Sequence, residues 1–330
     1  MYFINNKGIT DPRINLAIEE YALKTMDVEK DSFFLFYINE PAIIVGKNQN
    51  AIEEINTDYV DINGIHVVRR LSGGGAVYHD FGNLNFSFIT KDDGDSFRNF
   101  KKFTQPIVDA LKEMGVDAEL SGRNDILAEG RKISGNAQFT TKGRMFSHGT
   151  LMFNTEIDAV VSALKVSKDK IESKGIKSIR SRVANITEFL DEQISIEDFR
   201  LKLLHSIFGG EQQVKTIELT EDDWINIKAL SKQRYGNWEW NYGKSPAFNM
   251  SHSERFPTGG IDVRLQVKNG VIEDANIYGD FFGVGDVADI ESLLKGVTYD
   301  KSAISDALGD IELTTYLGGI TKEQFLQLIY

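Results

Sequence analysis

Three consecutive glycines sit between two β-rich runs in "RRLSGGGAVYHDFGNLNFSF", residues 69 to 88. That order constrains the fold more than any other feature of the chain. "IHVVRR" reads as a strand running straight into Gly73, Gly74 and Gly75, and "NLNFSFIT" as a strand leaving them. Glycines that cradle a dinucleotide open a helix, so a strand–glycine–strand order excludes that fingerprint. A Walker loop is excluded too, because no Gly-Lys-Ser/Thr follows at the required spacing. Two readings remain. One is a tight turn, which "SGGG" alone favours. The other is a main chain stripped of Cβ atoms so that an anion can lie against its N–H groups, with Arg69 and Arg70 adding planar forks suited to carboxylate or phosphate.

The flanking patterns place this loop in a mixed architecture. Asp11 and Pro12 start a helix whose apolar positions include Ile14, Ala17, Ile18 and Tyr21. "SFFLFYINEPAIIVG" holds two β-rich runs separated by Asn39-Glu40-Pro41. A helix follows through Phe103, Ile107, Ala110, Leu111 and Met114 and stops at Gly115. Residues 118 to 154 read as strands and glycine turns, while "TEIDAVVSALK" and "SIEDFRLKLLHSIFGG" return to helical spacing. Clustered strands with helices between them predict an α+β fold with a mostly antiparallel or mixed sheet. Residues 236 to 260 read as an aromatic-bearing connector. Beyond it, Asn269-Gly270 between two alternating runs predicts a hairpin, and three short helical patterns follow. The chain therefore divides into a large domain, 1 to 247, and a small α+β domain, 248 to 330.

Charge and cysteine content narrow the function. With 37 Lys+Arg against 49 Asp+Glu, the net charge is −12, which disfavours a general nucleic-acid or anionic-membrane binder. No apolar run is long enough for a membrane span and the start lacks a signal-peptide pattern, so a cytoplasmic protein is expected. The chain has no cysteine, which removes disulfides, thiolate metal sites and cysteine nucleophiles together.

Two further stretches carry candidate chemistry. In "SGRNDILAEGRKISGNAQ", Asn124 and Asp125 precede an apolar pair, and Lys132 stands just before Ile133, Ser134 and Gly135. A lysine at such a junction, beside small residues, can set its ammonium on a phosphate or carboxylate; a surface hairpin with exposed charge is the plainer reading. In "SHGTLMFN", His148, Gly149 and Thr150 lead an apolar strand, where a lone histidine is more often structural than catalytic. Spacing alone does not force a reaction on these groups.

"RRLSGGGAVYHDFGNLNFSF", "SGRNDI", "RKISGNAQ", "HGTLMFN" and "SIRSRVANITEFL" occur in that order, after an early "PAIIVGKNQN". Together they resemble the lipoate–protein ligase A family, densely over residues 1 to 250, and the tail resembles the accessory domain of its two-domain bacterial members. The resemblance implies the biotin/lipoate ligase catalytic fold and a two-step reaction. ATP activates lipoate to lipoyl-AMP with release of pyrophosphate, and the acyl group then passes to one lysine of an acceptor. It implies ATP with Mg²⁺ as co-substrate, lipoate as substrate and no tightly bound prosthetic group. The implied partners are lipoyl domains of 2-oxoacid dehydrogenase acyltransferase subunits and the glycine cleavage H protein, with no nucleic acid and no membrane.

Carried over by motif, Arg70, Ser72, Gly73, Gly74, Gly75, Ala76, Val77 and Tyr78 line the lipoate and adenylate site, with His79 bordering the lipoyl pocket. Lys132 is the catalytic contact to the phosphate and the acyl carboxyl oxygen. Asn83, Asn124, Asp125, Ser134, Gly135 and Ala137, then His148, Gly149 and Thr150, complete the substrate side, and Arg180 closes over the adenylate. The lysine-rich stretch 165 to 182 is read either as a solvated face or as a guide for an acidic acceptor. A binder of lipoate or nucleotide without activity, and an octanoyl or lipoyl transferase, are the alternatives. Absence of cysteine closes the transferase route that runs through an enzyme thioester.

Overall fold

A computed structural model describes residues 1–164, 181–242 and 248–330. Arg180 and nearly all of the lysine-rich stretch lie outside the described residues. The chain divides into two compact units. The larger comprises Met1–Ile44, Ile52–Arg69 and Val77–Asn241. The smaller comprises Tyr242–Tyr330 together with two segments from early in the chain, Val45–Ala51 and Arg70–Ala76.

The larger unit begins with β1 (Tyr2–Asn5) and α1 (Pro12–Thr25), whose N-cap Asp11 accepts the Arg13 backbone N–H as its sequence predicts. Then come β2 (Phe33–Ile38), β3 (Ala42–Val45), β4 (His66–Arg69), β5 (Val77–His79) and β6 (Asn83–Lys91). Helix α2 (Phe100–Glu113) leads to β7 (Ala118–Ser121), β8 (Asp125–Ala128), β9 (Arg131–Thr141) and β10 (Arg144–Met152). Helices α3 (Ile157–Ala163) and α4 (Ile196–Phe208), strand β11 (Thr216–Glu218) and α5 (Glu221–Leu230) follow, and a helical turn, Trp238–Asn241, ends the unit.

Eight strands form a mixed sheet in the order β11-β1-β2-β6-β10-β9-β8-β7. β1 pairs in parallel with β2 and β11, and the remaining ladders are antiparallel. The two runs around Asn39-Glu40-Pro41 do not pair with each other. β2 joins the large sheet, while β3 is the centre of a second sheet ordered β4-β3-β5. Strand β2 shows no alternation because it is covered on both sides. Phe34 and Phe36 enter a core with Phe86, Phe88, Phe103, Ile107 and Phe199. Leu35 and Tyr37, also buried, point to the opposite face.

In the smaller unit, β12 (Met250–Phe256), β13 (Gly259–Lys268) and β14 (Val271–Gly279) form an antiparallel meander. Helices α6 (Val287–Leu294), α7 (Lys301–Leu308) and α8 (Lys322–Ile329) follow. Ile261, Val263 and Leu265 alternate into a core completed by Ile290, Ile304, Leu308 and Phe325. Asn269 and Gly270 take φ of 53° and 77°, the left-handed pair that a two-residue hairpin turn requires. Met250–Phe256, inside the predicted connector, is an edge strand; its Ser251, Ser253, Glu254 and Arg255 are exposed, so its composition reads as loop.

Candidate active site

One face of the large sheet gathers most of the predicted polar residues. Directly opposed residues share a face, and the register pairs Asn85 with Thr150, Ser87 with His148, His148 with Ala137, and Asp125 with Gly135. Asn83, Asp125, Gly135, Ala137, His148 and Thr150 therefore stand on the same side. The other side of the same strands carries Leu84, Phe86, Ile126 and Leu151 into the core. Ser134 and Gly149 fall on that core side. The Ser134 hydroxyl accepts the Asn136 side-chain amide at 3.2 Å. A Cβ at Gly149 would lie 2.1 Å from Asn136 Oδ1 and 2.6 Å from the Phe86 ring, so close packing explains that glycine.

Lys132 reaches the polar face through an irregularity in the strand. The β8–β9 register pairs Ile126 with Ser134 and Leu127 with Lys132, leaving Ile133 unopposed as a bulge. Strict alternation from Ser134 would send Lys132 into the core; the bulge re-aims it. Its Nζ lies 2.8 Å from Asp125 Oδ1, and both side chains are half-exposed. The strand is pinned from the other side, where Lys132 N–H donates to Arg182 O at 2.7 Å and Ala184 N–H donates to Lys132 O at 3.0 Å. Asn124 and Asn136 fasten the preceding turn. Asn136 N–H and Nδ2 each donate to Asn124 O at 3.0 Å, and Asn124 Nδ2 returns a 2.6 Å bond to Asn136 O.

Gly135 makes room for the ammonium. A Cβ there would sit 3.1 Å from Lys132 Nζ and 3.2 Å from its Cε. Because the crowded atoms end a flexible side chain, Gly135→Ala is expected to fold normally but to displace the ammonium by a few tenths of an ångström. Misplacement on that scale costs roughly tenfold in rate. Unaltered adenylation kinetics in Gly135→Ala would refute the placement.

The predicted histidines are buried partners of α1 and its neighbourhood. His148 Nδ1 lies 2.9 and 3.1 Å from the two oxygens of buried Glu19. His79 Nδ1 accepts from Asn39 Nδ2 at 3.0 Å, and Asn39 Oδ1 accepts from Asn15 Nδ2 at 2.9 Å. Asn15 and Glu19 belong to this polar layer, and no motif points to them. At the turn after β5, Asp80 accepts the N–H groups of Gly82 at 2.9 Å and Glu156 at 2.8 Å, yet burial raises its carboxyl above the usual range. Burial, with Asp80 nearby, pushes the Tyr78 hydroxyl up to about 12. Tyr78 therefore stays neutral throughout the physiological range. Unfolded tyrosine ionises near its ordinary value of 10.0, so stability is lost as pH rises from there toward 12. Tyr78→Phe is expected to flatten that alkaline loss; an unchanged alkaline melting profile would refute it.

The glycine loop belongs to the smaller unit. Arg70 folds back on it: Nε donates to Ser72 Oγ at 3.0 Å, and Nη2 donates to Gly73 O at 2.7 Å and Gly75 O at 2.8 Å. The loop is stitched to Val45–Ala51 by Arg70 N–H to Val45 O at 3.0 Å and Lys47 N–H to Ser72 O at 2.9 Å. A Cβ at Gly73 would lie 2.4 Å from Phe281 O, and one at Gly46 would lie 1.9 Å from Gly74 O. Gly74 has φ of 92°, which a side chain disfavours. Close backbone approach therefore accounts for Gly73. The positive φ, with the Phe282 ring and Arg70 Nη2 2.9 and 3.0 Å from where a Cβ would stand, accounts for Gly74, whereas a Cβ at Gly75 would meet nothing within 4 Å. Ser72 is buried; Gly75 is exposed and Ala76 half-exposed.

Residues 11–208 match the family described as lipoyl protein ligase A/B catalytic domain, and residues 245–329 match the bacterial lipoate protein ligase C-terminus. The lipoate-protein ligase LplJ of Bacillus subtilis is 66% identical over 100% of both chains. The chain belongs to the lipoate–protein ligase family. Its fold agrees. A crystal structure of LipL1 from P. falciparum in complex with lipoate aligns over 99% of this chain and 97% of the other, at 25% identity and a TM-score of 0.80. A lipoate-protein ligase A bound with ATP aligns over 71% of this chain and 95% of its own, at 31% identity and a TM-score of 0.61. A bi-partite lipoate protein ligase from Thermoplasma acidophilum, studied with its E2 lipoyl domain, aligns over 76% of this chain and 98% of that one, at 31% identity and a TM-score of 0.65. The α+β class predicted for the ligase holds, with the mixed form of the sheet. Among the described residues no helix is long and apolar enough to cross a membrane.

Proposed function

We infer that this ligase joins lipoate to acceptor proteins in two steps that share one cation, Lys132. In the first, a lipoate carboxylate oxygen attacks the α-phosphorus of ATP; the new P–O bond forms as the bond to pyrophosphate breaks. In the second, a neutral acceptor lysine amine attacks the acyl carbon, the C–O bond to AMP breaks, and the amine loses its proton. Both nucleophiles come from substrates, so the protein's task is to position them and to stabilise charge. Lys132 carries the reading: a bulge turns it onto the polar face, Asp125 holds it at 2.8 Å and Gly135 leaves it space. The ammonium offsets the repulsion between carboxylate and phosphate as they meet, and later the charge on departing AMP.

The glycine loop supplies the wall for the acyl chain, through Ser72 to Tyr78, with Arg70 holding its carbonyls in place. Asn83, Thr150 and Ala137 lie on the Lys132 face and are assigned to the substrate side. Ser134 and Gly149 support the site from behind through packing and hydrogen bonds, while His148, on the same face as Lys132, is held by Glu19, and His79 is held by Asn39. Among the described residues no group of three or more His, Asp or Glu side chains converges on a metal position. Mg²⁺ carried on the ATP phosphates is held by one or two carboxylates with several waters, and Asp125, half-exposed on this face, is the carboxylate that would hold it. Bound there, Mg²⁺ would neutralise pyrophosphate. Lipoyl domains of 2-oxoacid dehydrogenases and the H protein are the acceptors we propose, in the cytoplasm.

Lipoate-dependent exchange of labelled pyrophosphate into ATP tests the first step without any acceptor. Exchange that requires lipoate supports the adenylate. Tight lipoate binding with no exchange would leave a binder and overturn the reading.

A further inference from the structure

The first arginine of the pair is built differently from the second. Arg69 is buried, and its backbone N–H donates to Asn241 Oδ1 at 3.0 Å. Its Nε donates to Trp240 O at 2.9 Å and its Nη2 to Asn241 O at 3.0 Å. Trp240 Nε1 returns a bond to Arg69 O at 2.8 Å. Two segments 171 residues or more apart in sequence are thus joined by these hydrogen bonds within the larger unit. The mount is firm as well. Asn241 Nδ2 donates to Tyr235 O at 2.7 Å, and buried Tyr235 donates its hydroxyl to buried Glu20 of α1 at 2.8 Å. Arg234 lies 4.7 Å over the Trp240 ring and 3.2 Å from Glu20.

Burying a guanidinium is costly unless its donors are met, and here backbone carbonyls at the end of the Trp238–Asn241 helical turn meet them. Those partners give Arg69 a job other than binding an anion. Arg69 is also the last residue of the larger unit before the glycine loop, and Asn241 the last before the chain leaves for the C-terminal segment. We propose that Arg69, Trp240 and Asn241 form a latch that fixes the backbone from which the glycine loop springs, making Arg69 a positioning residue for lipoate capture. This rests on the reading of that loop as the lipoate wall.

The test uses full-length Arg69→Met and Trp240→Phe; the latter removes only the indole donor. Amide hydrogen exchange in the ligand-free protein reads the loop directly, through the Lys47 and Arg70 amides bonded to Ser72 O and Val45 O. Loosening the latch is expected to speed that exchange about tenfold in Arg69→Met and less in Trp240→Phe, with β9 and β10 unaffected. The KM for lipoate in pyrophosphate exchange should rise about tenfold while kcat and the KM for ATP hold. Unchanged loop exchange in Arg69→Met overturns the latch. So does a uniform rise in exchange throughout the larger unit, which marks general destabilisation. Faster loop exchange in a protein whose wild type lacks lipoate-dependent activity would support the latch and remove the ligase reading instead.

Discussion

Lys132→Ala is expected to fold as the parent does and to form lipoyl-AMP about 10²–10³-fold more slowly, the usual cost of losing one preorganised charged donor. The fold should survive because the Lys132–Asp125 pair is half-exposed on both sides, where ion pairs contribute little to stability. Its backbone ties to Arg182 and Ala184 do not depend on the side chain. Catalysis should suffer because no other lysine or arginine stands at the Gly135–Asp125 end of the polar face in the described register. Lys132→Arg is not a conservative control, because a planar fork replaces a compact point charge. Equal melting behaviour with collapsed single-turnover adenylation is the expected outcome. Near-normal adenylation would remove Lys132 from the mechanism.

The second large effect falls on a residue outside the glycine triplet. Gly46→Ala would set a methyl 1.9 Å from Gly74 O and 3.2 Å from Gln49 Oε1, the latter being the acceptor for Gly46 N–H. Backbone cannot yield as a flexible side chain does, so either Val45–Ala51 or the glycine loop must shift. Overpacking of this kind costs about 1–3 kcal/mol. The KM for lipoate should rise tenfold or more, since the loop that moves is the proposed acyl wall. The control is Gly64→Ala, where a Cβ would meet nothing within 4 Å although its φ of 61° is itself unfavourable. That variant should lose some stability and keep its KM. A Gly46→Ala protein with unaltered lipoate KM would detach the loop from substrate binding.

The contrast between these sites shows what a single sequence discloses. Features set by local chemistry are legible: the Asp11 cap, the Asn269-Gly270 turn, and glycines lying between strands. Features set by partners distant in sequence are not. β2 and β3 look like neighbours, yet they enter different sheets. A polar edge strand, β12, is indistinguishable in composition from a connector. The same limit applies inside the site. Two adjacent arginines carry the same local signal, but Arg69 meets Trp240 and Asn241 while Arg70 meets its own loop. Nothing in "RKISGN" announces that Ile133 bulges, although that bulge decides which way Lys132 points. From sequence the glycines read as a turn or as an anion wall. Gly73 owes its identity to backbone packed within a side chain's width, and Gly74 to its positive φ and the Phe282 ring beside it, causes that only tertiary structure reveals.

Ligation itself is the central claim, and intact-mass spectrometry of an apo lipoyl domain tests it most directly. Incubated with the ligase, lipoate, ATP and Mg²⁺, the domain should gain the mass of one lipoyl group on one lysine. The gain should vanish when ATP is withheld and fall sharply with Lys132→Ala. A domain left unmodified by wild-type protein, or modified equally without ATP, would contradict the account.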